Sequence, residues 1–225
     1  KPRLAARALF KYRAELSGCL FNSNAYGYLK IATSPGDLFF LGLFSSPSQV
    51  ALYGLAKQLI APLALLLTNV QTALTPEITS IMAKRKLEQT KRLAGRYVAL
   101  AILAGGLLTG CALLVGRYLI LLLFRPEYTG ALPVFYVLLI VAWVQLVYAA
   151  FRPIALSLDL LKWDNLAQLL SAAVLFLFVL AGRIDALTMA FIQLACALVV
   201  RLLFNLPVWA RLSALALDSE PGDVP

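Results

Sequence analysis

Apolar residues fall in six long blocks along this chain, and short polar or charged breaks separate them. The blocks run over about 16–44, 49–75, 97–124, 131–158, 163–181 and 186–206. A helix needs roughly 20 apolar residues to cross the hydrocarbon layer of a bilayer, and each block can supply most of such a span. The first is the least regular, because Asn22, Ser23, Asn24 and Lys30 interrupt it. Pro35 and Gly36 then break or kink it before the run Leu38 to Phe44. The polar Ser45 to Ser48 reads as a tight turn. The second block carries Pro62 inside it and Pro76 at its end, and the basic stretch Lys84 to Arg96 that follows reads as an interfacial helix. The third block is rich in small residues, among them Ala104, Gly105, Gly106 and Gly110, which let helices approach closely. The pattern predicts an all-α polytopic membrane bundle. It would comprise a basic segment (1–15), a six-helix transmembrane lobe (16–206) and a tail (207–225) whose acidic, Pro/Gly-bearing end is expected to be disordered.

Composition agrees with that pattern. Apolar residues make up 61% of the chain and charged ones 14%, with a mean hydropathy of +0.84. A soluble domain is nearer half apolar and a quarter charged, so lipid must cover part of this surface. The net charge of +9 is placed unevenly. Lys1, Arg3, Arg7, Lys11 and Arg13 precede the first block; Lys84, Arg85, Lys86, Lys91, Arg92 and Arg96 follow the second; Arg201 and Arg211 flank the end of the sixth. The alternate turns are nearly bare, which predicts that both termini face the cytoplasm and that the cations meet anionic membrane lipids. A nucleic-acid partner is not expected, since base readout needs a folded groove-reading module that this pattern lacks. The first residue is Lys1, with no signal peptide ahead of the first block, so a processed, trimmed or partial chain is expected.

Polar groups inside the blocks are the candidate chemistry, because a charge at membrane depth costs on the order of 3 kcal/mol. Lys30, Asp37 and Lys57 stand out. Asp37 and Lys57 lie on neighbouring antiparallel spans joined by the Ser45–Ser48 turn, both roughly 10–14 Å below it at about 1.5 Å per residue. They can form an ion pair that holds two helices together, or Lys57 and Lys30 can line a cavity for an anionic substrate with Asp37 as counter-charge or coupling site. Gln58, Asn69, Gln71 and Gln145 fit either picture, and interhelical hydrogen bonding by itself accounts for them. Arg152, just before Pro153, is a candidate headgroup contact, since that proline frees a backbone carbonyl and can open the helix. Arg201 reads as a side chain snorkelling to the headgroups.

Enzyme chemistry finds little here. The chain has no histidine, no aspartate cluster, no phosphate-cradling Gly-rich loop, and no metal spacing among Cys19, Cys111 and Cys196. Neither a cofactor nor a metal is expected.

Three stretches carry a family resemblance. DLFFLGLFSSPSQVALYGLAKQL (Asp37 to Leu59) resembles the seventh-to-eighth helix hairpin of bacterial polysaccharide flippases. LTPEITSIMAKRK (Leu74 to Lys86) is similar to that family's Pro-acidic helix end leading into a basic cytoplasmic segment. LFRPEYTGALPVFYVLL (Leu123 to Leu139) looks like its outer turn before a long helix. The resemblance implies the multidrug/oligosaccharidyl-lipid/polysaccharide exporter superfamily, whose members have 12 to 14 helices in two lobes around a central cavity. This chain would then be the C-terminal lobe, completed by an N-terminal lobe or a second copy. The implied activity is alternating-access transport of a lipid-linked oligosaccharide across the bacterial inner membrane, alongside glycan polymerase and export proteins. The implied substrate-binding residues are Lys57, Lys30, Arg152, Gln58 and Gln145, with Asp37 as ion pair or coupling group. A cation-coupled drug exporter of the same superfamily and a non-transporting scaffold for glycan assembly are the alternatives.

Overall fold

The computed structural model describes Asn24, Gly27, Tyr28 and residues 36–218, apart from 85, 125, 159 and 183. Among these the regular structure is entirely helical: α1 (Gly36–Phe44), α2 (Pro47–Ala83), α3 (Leu87–Leu123), a 3-10 turn (Pro126–Gly130), α4 (Ala131–Val147), α5 (Phe151–Ser157), α6 (Leu161–Ala181) and α7 (Ala186–Asp218). Four stretches among the described residues are long and apolar enough to cross a membrane: Pro47–Ala83, Leu87–Leu123, Pro126–Val147 and Ala186–Ala214. The protein is thus an all-helical, membrane-embedded bundle. Most of the first apolar block, including Lys30 and Cys19, lies outside the described residues, as do the 1–15 segment and residues 219–225.

Several boundaries differ from the sequence expectation. α2 continues through Pro62 and Pro76 to Ala83, so it is longer than the 49–75 block. The basic stretch is not a separate interfacial helix, because the chain turns at Lys84–Lys86 and Leu87 to Arg96 are the first turns of α3. Lys, Arg, Glu and Gln are good helix formers, so nothing local stops that helix. The fourth block divides into α4 and α5 at Tyr148–Ala150. Pro153 explains the division: it offers no N–H to the Ala149 carbonyl and its ring crowds that group. The last helix runs on to Asp218, well past the expected end at 206.

α4 is the central element. It is apolar all round, as a helix enclosed by others must be, and it packs on α2, α3 and α7. On the α3 face toward it, the small residues Ala101, Gly105, Thr109 and Gly116 are buried together with Ile120. The Trp143 indole lies over Gly105 and donates to the Ala101 carbonyl at 3.3 Å. Tyr97 donates to the Leu146 carbonyl at 2.8 Å, beside the α4–α5 break. The opposite face of α3, with Leu103, Leu107, Leu114, Tyr118 and Leu122, is exposed.

Two apolar cores follow one another along the bundle. One, toward the 45–46 turn, joins Leu41, Tyr53, Val134, Leu138, Met189 and Ala190. The other, toward the basic Lys84–Arg96 end, joins Ile78, Ala94, Phe151, Ile154, Phe204 and Val208. Thr68, Thr72, Thr75 and Thr79 keep their hydroxyls satisfied in apolar surroundings by donating to carbonyls one turn back on α2. At the turn end, Gln49 of α2 accepts from the Ala186 backbone N–H at 3.0 Å, and Asp185 accepts from the Thr188 N–H at 2.7 Å. These two side chains satisfy amide donors that the first turn of α7 would otherwise leave open. The Thr188 hydroxyl and backbone bonds hold the Asp185 carboxyl below the usual carboxylate range.

Candidate functional site

Asp37 is the second residue of α1 and is 2% exposed. The short 45–46 turn folds α1 back on the start of α2, which sets the carboxylate against one face of that helix. Tyr53 and Lys57, one turn apart on that face, both reach it. Lys57 Nζ donates to Oδ1 at 2.6 Å, and the Leu38 backbone N–H donates to the same oxygen at 2.6 Å. The Tyr53 hydroxyl donates to Oδ2 at 2.6 Å, and Gln193 Nε2 of α7 donates to it at 3.2 Å. An ionised carboxylate has about four acceptor sites, so the group is saturated. The Lys57 ammonium also lies 5.7 Å from the Tyr53 ring centroid, within cation–π range.

Lys57 keeps 31% of its side chain exposed because it borders a cavity of about 250 Å³ beside the first core. α2 lines it from Lys57 to Gln71, α4 from Leu138 to Gln145, and α7 from Gln193 to Arg201; Arg152 of α5 and Gln168 and Ser171 of α6 complete it. Among the described residues, Lys57, Arg152 and Arg201 are its cations, and Asp37 is the one carboxylate in the wall. Behind the wall, Asp164 of α6 is 2% exposed and its Oδ2 lies 3.9 Å from Arg152 Nε. Two buried carboxylates therefore accompany three cations. Among the described residues no group of three or more His, Cys, Asp or Glu could hold a metal ion.

The structure brings Asp37, Lys57, Arg152 and Gln145 to one cavity. It places Gln58 and Asn69 on an exposed face of α2, away from the cavity wall. Lys30 lies outside the described residues. Gln71 and Gln145 line the cavity, and neither makes an interhelical side-chain hydrogen bond among the described residues, contrary to the simpler expectation for buried amides. Arg201 borders the same space, where snorkelling to the headgroups was the expectation.

Sequence reasoning missed Tyr53, Asp164, Gln168, Ser171 and Gln193. Tyr53 was findable, being four residues before Lys57. Asp164 falls at the start of the fifth block, and α6 begins at Leu161 and carries Asp164, Gln168 and Ser171 inward on one face. Gln193 meets Asp37 across 156 residues of chain, a contact that no local pattern encodes.

No family model, curated protein or solved structure matches this chain.

Proposed function

We propose that the chain is one lobe of a bacterial polysaccharide flippase and carries a lipid-linked oligosaccharide across the cytoplasmic membrane by alternating access. The observation that supports this best is the charge of the cavity: Lys57, Arg152 and Arg201 border it, while Asp37 is the one carboxylate in its wall among the described residues. Cations at membrane depth are costly unless an anion meets them. A wall that sets three cations against one carboxylate, among the described residues, suits an anionic group such as a diphosphate. The family resemblance of Asp37 to Leu59, Leu74 to Lys86 and Leu123 to Leu139 points the same way. The same reading gives the lobe six spans and puts both termini in the cytoplasm, since Lys84, Lys86, Lys91, Arg92 and Arg96 gather at one end. A second lobe, or a second copy, would close the transport path.

A cation-coupled drug exporter would use Asp37 as its ion site. That carboxylate already accepts from Lys57, Tyr53, Gln193 and Leu38, which counts against a further cation there.

The test is disruption of the gene in its native host, followed by assay of lipid-linked oligosaccharide on each leaflet with a membrane-impermeant probe. Accumulation on the cytoplasmic leaflet is expected. An unchanged glycan distribution with altered sensitivity to cationic drugs overturns the proposal in favour of the exporter.

A further inference from the structure

Four helices each contribute one glutamine to the cavity wall: Gln71 from α2, Gln145 from α4, Gln168 from α6 and Gln193 from α7. Gln193 is engaged with Asp37. The other three are half-buried, and their carboxamides make no hydrogen bond to the protein among the described residues. A carboxamide left without a partner in a membrane interior is unfavourable, and apolar side chains would pack there without that cost. The Ser171 hydroxyl, in the same wall, is buried and has no partner among the described residues either. Unused donors and acceptors thus converge on one space from three helices.

We infer that this cluster is a saccharide site, holding the first sugar of the carried lipid beside its phosphate. The inference rests on the flippase reading and adds to it what the cavity recognises. A carboxamide carries one acceptor oxygen and two N–H donors, which suits it to sugar hydroxyls, each both donor and acceptor. A phosphate uses donors only, so a site built for the diphosphate alone would need more cations and no amide oxygens. In this site Lys57, Arg152 and Arg201 meet the anion, and Gln71, Gln145 and Gln168 read the neutral ring. At about 250 Å³ the cavity lies at the small end of ligand sites, so it takes the lipid-proximal sugar and leaves the rest of the glycan outside.

The experiment measures binding of two synthetic probes to the full chain in lipid nanodiscs, free of glycoside detergent. One is geranyl diphosphate; the other is geranyl diphosphoglucose. The unmodified protein is expected to bind the glucosylated probe at least about tenfold more tightly, the factor given by 1.4 kcal/mol of added hydrogen bonding. Gln145→Leu with Gln168→Leu is expected to erase that preference. Lys57→Gln is expected to weaken both probes. Equal binding of the two probes by the unmodified protein, a comparison that needs no variant, overturns the saccharide site and leaves the flippase reading standing. Retention of the preference in the double variant also overturns it. Binding of neither probe overturns both.

Discussion

Removing one partner of the Asp37–Lys57 pair should be far worse from the lysine side than from the aspartate side. In Lys57→Met, Asp37 stays 2% exposed and loses its cation, keeping only Tyr53, Gln193 and the Leu38 N–H. Stripping the partner from a buried charge costs about 3–5 kcal/mol. Because the Lys57 side chain is 31% exposed to the cavity, water can fill part of its place. The lower end, about 3 kcal/mol, is therefore expected. Asp37→Asn is milder. Its amide oxygen can keep the Lys57 and Leu38 bonds, while its NH₂ faces the Tyr53 hydroxyl, which can accept, and Gln193, whose amide can turn over. Lys57 keeps its partial exposure, so about 1 kcal/mol is expected, the net worth of a hydrogen bond strengthened by charge. In the double variant the orphaned charge is gone, and a coupling of about 2 kcal/mol should be recovered. The assay is reversible unfolding of the purified protein in mixed micelles across the four-membered cycle. Coupling below about 0.5 kcal/mol, or Asp37→Asn costing as much as Lys57→Met, would refute the reasoning.

Three further outcomes follow from the same contacts. Gly105→Leu should destabilise the protein by about 1–3 kcal/mol, as overpacking does; even a Cβ there would come within 2.5 Å of the Trp143 Nε1, and Trp143 fluorescence should shift with it. Tyr97→Phe should cost about 1 kcal/mol by leaving the Leu146 carbonyl at the α4–α5 break without its hydroxyl donor, read from the same unfolding assay. The Asp185 carboxyl is held below its ordinary range by Thr188, so its contribution is fully present above the ordinary pKa of about 4 and is lost as pH falls through the lowered value; Asp185→Asn should flatten stability in that acid window, and an unchanged pH profile would contradict the cap.

The helical membrane character was legible because apolar blocks of span length leave few other folds, and four stretches bear it out. The Asp37–Lys57 pair was legible too, because a two-helix hairpin with a short turn converts residue number directly into depth. Helix ends were harder to read. The basic run Lys84 to Arg96 looks like an interfacial break, but its residues favour helix and the chain interrupts it only at the turn before Leu87. Prolines gave mixed signals: Pro62 and Pro76 sit inside α2 without ending it, while Pro153 accompanies the α4–α5 break. The cavity itself was only half visible. Lys57 and Arg152 announce themselves as charges in apolar blocks, whereas Gln168 and Gln193 matter only because α6 and α7 pack together on the far wall.

The most direct measurement replaces the chromosomal copy with the double variant Lys57→Gln, Arg152→Gln in the native host, with variant protein confirmed in the membrane at normal abundance. Lipid-linked oligosaccharide is then scored on each leaflet with the impermeant probe. If the cavity cations hold the diphosphate during transport, the lipid should accumulate on the cytoplasmic leaflet, as in the disrupted strain. A normal distribution between leaflets would contradict the claim that this cavity carries it.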